Sequence, residues 1–549
     1  MSLARDVTTV GSATLASRLL GFARDVGVAA ALGAGVFSDA FFTVLQAANL
    51  FRRLLAEGAL NAAFVPLWLR IRQTQGEDAA HRFFRQVLAA MLLAAGALTA
   101  IGLFSAPAVV DLLAPGFAGE RRALAADYLQ IAAPYVTLTG IVAIIAAVLN
   151  AERRIGAAAL GVVAFNAAFL LVLAGIAAFG LPGPAGVGAL LAHAIVLAGV
   201  AQLAVTGAGL LRLRRGTAFS GGRPPPQRMR RRNGPARSRL GFSADARRFF
   251  ARAVPGLVAA GVPQLKLIAG AMIASSSPAA VSWLYYANRL YELPLGVISI
   301  AVAAVLVPAL AASARSAERA GSAAAQSRGL EIALGLALPS AVAFAVLAQP
   351  IAGGLFERGA FGPRDTAAVA AALAAICAGL PGHTLEKVFG AVSFAHEDTR
   401  TPMLAALAGL ATAVAAALAL FPHYGHVGVA AAIAVSGWVG ATLLGAILRR
   451  RGWLHLDQDA ARRLPRILLA TMVMGIAIFG TNELLASSFY AGGSPARLAV
   501  LVVLVAIGLA VYLACLQTLG VARMRDLLAA ARAASEQPAG NRKPGNPDG

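Results

Sequence analysis

Fourteen runs of about twenty or more mostly apolar residues recur along this chain, and they limit its fold more than any other feature. They cover 8–32, 37–68, 83–107, 123–150, 157–180, 185–211, 247–275, 279–311, 328–349, 364–394, 401–421, 427–448, 465–487 and 497–520. About 30 Å of hydrocarbon, at 1.5 Å per residue, asks for runs of this length. Turn signals part them: "LGAG", "APGFAGE", "LPGPAG", "SSSP", "ERGAFGPRD", "FPHYGH" and "YAGGSP". Only 13% of residues are charged, against about 25% in soluble domains. The pattern predicts an all-α polytopic membrane protein with fourteen transmembrane helices.

A net charge of +22 and a pI near 11.4 would point to nucleic acid in a soluble chain. Here the positive-inside rule accounts for it. With the N-terminus in the cytoplasm, 35 of the 47 basic residues fall in cytoplasmic segments and 5 in outside ones. The expectation is an N-in, C-in protein without a nucleic-acid partner. Arg18 and Arg24 interrupt the first apolar run, which reads as a retained helix rather than a signal peptide. Cys377 and Cys515 both lie in apolar runs and form no disulfide framework or metal cluster motif.

The stretch "LRLRRGTAFSGGRPPPQRMRRRNGPARSRLGF" is too basic and too rich in Gly and Pro for a core. It reads as a cytoplasmic linker in contact with anionic membrane lipids. The linker, 216–246, separates an N-terminal lobe (1–215) from a C-terminal lobe (247–450), six helices each. Residues 451–522 hold two further helices, and 523–549 read as a disordered tail. The fourth and tenth helices echo each other loosely, as parallel repeats would.

Charges inside the apolar runs are the candidate functional residues, because an arginine facing lipid at mid-membrane costs roughly 2.5–3.5 kcal/mol. Arg53 and Glu57 are spaced to pair on one helix face. Arg52 points elsewhere and is either a ligand group or a snorkelling cation. Arg18 and Asp25 share a face but stand too far apart to pair, and Arg24 points differently. Arg18 and Arg24 are thus ligand or gate candidates, with pairing to other helices as the rival. Asp39 reads first as a helix-start charge. Arg289 sits near mid-depth with Glu292 three residues on to orient it. Lys266 and Lys387 have no nearby acid except Glu386 beside Lys387, and pairing across helices is the expectation for either; His193 and His383 read as interior polar residues. Arginines from the first, second and eighth helices together predict a cationic cavity between the lobes, suited to phosphate. There is no Walker loop and no nucleophile–base constellation. Transport is expected rather than catalysis, with no cofactor and no metal.

The segments "SRLLGFARD", "LGAGVFSDAFF", "NLFRRLLAEGALNAAFVP", "LYYANRLYELPLGV", "LFERGAFGPRDT", "GLPGHTLEKV" and "DTRTP" together resemble the MurJ/MviN family. The resemblance runs from residue 1 to about 520. It implies the fold of the multidrug/oligosaccharidyl-lipid/polysaccharide exporters, working by alternating access. It implies lipid II, the undecaprenyl-diphosphate-linked peptidoglycan precursor, as substrate, and the bacterial inner membrane as location. By this likeness Arg18, Arg24, Arg52 and Arg289 hold the diphosphate, with Asp25, Asp39 and Glu57 in the same motifs. The last two helices resemble the family's lipid-tail groove. Cell-wall synthesis proteins are candidate partners. A flippase for another polyprenyl-diphosphate glycan and a drug or cation antiporter of the same fold are the alternatives. The chain departs from the family pattern at Gln46, Ala48 and Asn288. Some members bind sodium through a seventh-helix aspartate; Gly270 stands there, with Lys266 nearby as a fixed positive charge.

Overall fold

The computed structural model describes residues 2–56, 59–180, 183–219, 244–316, 319–491 and 493–521. Glu57, most of the basic linker and the expected tail lie outside them. The described residues form helices and connecting turns, with no strand among them. The helices are α1 (Ser2–Leu32), α2 (Val36–Ala56), α3 (Ala59–Gln75), α4 (Glu77–Phe104), α5 (Ala106–Leu113), α6 (Gly119–Ala132), α7 (Pro134–Ala151), α8 (Ile155–Phe179) and α9 (Pro184–Phe219). After the linker come α10 (Ala244–Ala274), α11 (Ala280–Ser316), α12 (Arg319–Val346), α13 (Ala348–Phe356), α14 (Pro363–Cys377), α15 (Leu380–Ala395), α16 (Arg400–Arg450), α17 (Gln458–Ala491) and α18 (Ser494–Thr518).

Among the described residues, ten helices are long and apolar enough to cross a membrane. The described residues of the expected runs fall mostly on helical segments. Two of them share α16, which breaks at Gly425 (φ 54°, ψ −138°), inside the "FPHYGH" signal. The left-handed φ suits glycine, which has no Cβ to clash. The runs on α1, on α2 with α3, and on α10 are outside the ten. The first two of these carry Arg18, Arg24 and Asp25, and Asp39, Arg52 and Arg53, which lower their hydropathy.

Contacts divide the chain into two compact units. The first is Met1–Arg24, Val44–Val110 and Ala123–Gly261. One of its cores gathers Phe64, Trp68, Phe83, Phe84, Ile144, Val148 and Phe249. Phe64 stacks on Phe83 at 5.3 Å between centroids and meets Phe249 edge-on at 6.0 Å, the offset geometries that ring quadrupoles favour. The core ties α3, α4, α7 and α10 together, and α8 packs along α9.

The second unit is Asp25–Thr43, Asp111–Arg122 and Val262–Gly549. The end of α1, the start of α2 and the α5–α6 turn therefore belong with the C-terminal half. Here α15 lies on the second half of α16. A methyl group added at Gly382 would stand 2.8 Å from the backbone of Gly437 and Trp438, and one at Gly379 would stand 2.4 Å from Ala434 Cα. Glycine on α15 lets the two backbones touch, the small-residue packing that helices in lipid rely on. The α17–α18 hairpin packs on α12 and α13.

Candidate functional site

In the first unit, Arg24 ends its stretch of α1 with a side chain only 7% exposed. It donates to Asn166 Oδ1 of α8 at 3.4 Å and lies 5.5 Å from the Phe169 ring centroid. Asn166 is itself held, its amide nitrogen donating to the Ser17 carbonyl at 3.1 Å. These contacts steer the guanidinium. Arg52, half-buried on α2, donates from Nε to Asn49 Oδ1 at 3.3 Å, one turn back. Arg18 is exposed on α1, and Arg53 is half-buried. The Arg53–Glu57 pair involves a residue outside those described.

In the second unit, Asp25 is fully buried and forms an ion pair with Arg289 of α11. The Tyr285 hydroxyl donates to Asp25 at 3.4 Å. Arg289 also stands 3.5 Å from Glu292, the residue expected to orient it, and Asn288 donates to Glu292 at 3.4 Å. Arg289 is thus set between two carboxylates, one local and one from α1.

Asp39 lies in a second polar cluster of this unit. Its carboxylate accepts from the amides of Ala279 (2.8 Å) and Ser282 (2.9 Å) and from the Ser282 hydroxyl (2.6 Å). Those amides open α11, so Asp39 serves as a helix-start charge for a partner helix as well as lying in the first turn of its own. Arg121 completes the cluster at 3.3 Å from Asp39, and its other nitrogen donates to the carbonyls of Ser275 (2.7 Å) and Gly116 (3.0 Å).

Asn166, Arg121, Tyr285 and Ser282 are supports that the sequence did not single out. Each meets its partner across a long separation, and no local spacing announces it. His193, expected in the interior, is exposed and turned onto the Ala189 carbonyl of its own helix at 2.8 Å. A side chain at Gly270 would meet Val429 at 2.9 Å, so an aspartate does not fit there without repacking. Among the described residues, no group of three or more His, Cys, Asp or Glu side chains could hold a metal ion.

Long apolar helices with buried and half-buried guanidiniums define a polytopic helical membrane protein. Solved structures carry the same fold. "Lipid II flippase MurJ, inward closed conformation" superposes with a TM-score of 0.75 over 94% of this chain and 99% of that one, at 21% identity. An inward-facing multidrug resistance MATE family transporter of the MOP superfamily gives 0.62 over 79% and 94%, at 16% identity. Sequence decides the family. The family model described as "Lipid II flippase MurJ" matches residues 28–523. The "Probable lipid II flippase MurJ" of Rhizobium meliloti (strain 1021) is 38% identical over 494 residues, 88% of each chain. The "Lipid II flippase MurJ" of Burkholderia cenocepacia is 31% identical, over 86% of this chain and 89% of its own. The chain belongs to the MurJ family.

Proposed function

We propose that this protein moves lipid II across the bacterial inner membrane by alternating access, with Arg24, Arg52 and Arg289 holding the diphosphate. The observation that carries this is the setting of those arginines. Arg24 and Arg52 are aligned by the side-chain amides of Asn166 and Asn49, which sets the direction in which each guanidinium would meet phosphate oxygens. Arg289 is kept in place by Asp25 and Glu292, which an entering diphosphate would replace. Arginine's planar fork suits two phosphate oxygens at once. Arg18 adds an exposed cation at the approach.

Fixed cations replace the water that a diphosphate would lose in hydrocarbon, which is the main barrier to an unaided crossing. Fourteen crossings, in two six-helix lobes around a central cavity with two further helices for the lipid tail, fit the fourteen apolar runs. Both termini are then cytoplasmic, and Asp39 lies at the outer end. Its bonds to Ser282, Ala279 and Arg121 act as a closure that must break for release outside.

The test is reconstitution in vesicles with labelled lipid II. Purified protein should bring the label to the far leaflet, and Arg24→Ala should lower that rate by more than tenfold. A protein that moves another polyprenyl-diphosphate glycan but not lipid II, or a cationic drug instead, overturns the assignment.

A further inference from the structure

A proline inside a helix leaves the carbonyl four residues before it without its N–H partner, and in hydrocarbon no water takes that place. Pro339 stands inside α12, within the apolar span Ala323–Val346. The carbonyl it frees belongs to Gly335. That carbonyl is served from another helix: the Tyr512 hydroxyl of α18 donates to it at 2.6 Å. Tyr512 is 6% exposed, so the bond is made inside the protein. An ordinary helical bond ties a carbonyl to its own helix. This one ties it to a neighbour, and it can break without unwinding either helix.

Both arms of the α17–α18 hairpin reach this point. A Cβ built at Gly335 would lie 3.9 Å from Tyr512 Oη and 3.9 Å from Ile467 Cδ1 of α17. The hairpin also holds α12 and its continuation on either side of the proline. One turn before Gly335, Glu331 pairs with Arg463 of α17 at 3.3 Å. Three residues beyond Pro339, Val342 meets α17 so closely that a Cβ at Gly475 would stand 2.8 Å from its Cγ1. Just after α13, Glu357 accepts from Arg497 of α18 at 2.7 Å and from the Thr366 hydroxyl of α14 at 2.7 Å.

The two arms are themselves closely packed, since a Cβ at Gly508 of α18 would lie 2.8 Å from Ile478 Cγ2 of α17. The hairpin therefore lies along α12 as a splint over the place where proline allows a bend. Its polar grips are the ion pair at Glu331, the hydroxyl of Tyr512 at the freed carbonyl and the ion pair at Glu357. Of these, Tyr512 acts at the joint itself. A buried carbonyl that loses its donor is costly, more so away from water, so the position of the hairpin and the curvature of α12 are linked through this bond.

We propose that Tyr512 is a positioning residue for transport, a latch that couples the α17–α18 hairpin to the bend of α12 at Pro339, an inference that rests on the flippase reading above. With the bond made, α12 holds one curvature. When the hairpin shifts along α12, the hydroxyl leaves Gly335 and the joint is free to bend. In the reading above the hairpin serves the lipid tail and the arginines serve the diphosphate. The latch then gives the tail a mechanical hold on the lobe that carries Arg289.

The experiment is a double-mutant cycle on full-length protein made without Cys377 and Cys515. Spin labels at Ala324→Cys and Ala345→Cys, both exposed and on opposite sides of Pro339, report the curvature of α12. Labelled lipid II in phosphatidylethanolamine–phosphatidylglycerol vesicles reports transport. Tyr512→Phe removes only the hydroxyl. It should broaden the distribution of label-to-label distances and slow transport by about fivefold or more, the scale of a buried carbonyl without its donor. Pro339→Ala restores the N–H that serves Gly335, so adding Tyr512→Phe to it should change neither readout. Wild-type distances, or a wild-type rate, in Tyr512→Phe overturn the proposal. So does an equal effect of Tyr512→Phe with and without Pro339, which is what a packing role alone would give. Vesicles in which the wild type moves no lipid II overturn the flippase reading, while the distance cycle, which needs no substrate, still decides the latch.

Discussion

Arg24, Arg52 and Arg289 differ in how they are held, and single substitutions should report it. Arg24→Ala empties a 7%-exposed position and leaves Asn166 Oδ1 without this donor, at a cost of about 1–3 kcal/mol. Arg24→Ala, Arg52→Ala and Arg289→Ala should each abolish growth rescue of a flippase-depleted cell while membrane insertion persists; full rescue by all three removes the arginine-held diphosphate. Asp398 offers a residue whose role is local. It caps α16, accepting from the Thr401 hydroxyl and amide, from Arg451 and from the Arg400 amide. These partners, Thr401 first, hold its carboxyl at about 2, below the ordinary 3.8. A carboxyl depressed on folding contributes stability above its unfolded value and loses it as pH falls through the folded one. The turn should therefore loosen between about pH 4 and pH 2, seen as faster amide exchange at Arg400 and Thr401. Asp398→Ala should show the same loosening at neutral pH, worth about 1 kcal/mol.

Between elements, the α15–α16 contact shows how small residues set helix spacing. Gly382 faces backbone atoms that cannot move aside, whereas a Cβ at Gly390 meets only the Phe394 ring edge at 4.0 Å. Gly382→Val should lower the melting temperature in detergent, by an energy of about 1–3 kcal/mol or more for overpacking. Gly390→Ala should be neutral or stabilising by up to about 1 kcal/mol. Equal melting temperatures for the two variants would mean that this packing does not govern stability. The same contact explains why helix breaks were easier to find than helix partners. A run of apolar residues ending in "SSSP" or "FPHYGH" announces its own end, because those residues fail to continue a helix. The glycine that fits a neighbour's backbone carries no mark of which neighbour.

Across the whole molecule, the Asp39 cluster joins the starts of α2, α6 and α11. Ser38 Oγ and Ser282 Oγ are 3.0 Å apart there. A Ser38→Cys, Ser282→Cys protein, made without Cys377 and Cys515, should lose transport on oxidation and regain it on reduction; transport indifferent to oxidation would show that this end need not open. The sequence by itself determined the all-helical membrane class, the turns between runs and the charges worth explaining, because chain length against hydrocarbon thickness and the cost of buried charge act on each segment alone. It also identified Glu292 as the neighbour of Arg289, since three residues is one helical turn. Only the tertiary structure decided that Asp25 meets Arg289, that Asn166 aligns Arg24, that Arg121 and the start of α11 receive Asp39, and that Tyr512 serves Gly335. Those partners are brought together by packing across long stretches of chain, and a charge's energy depends on what surrounds it after folding.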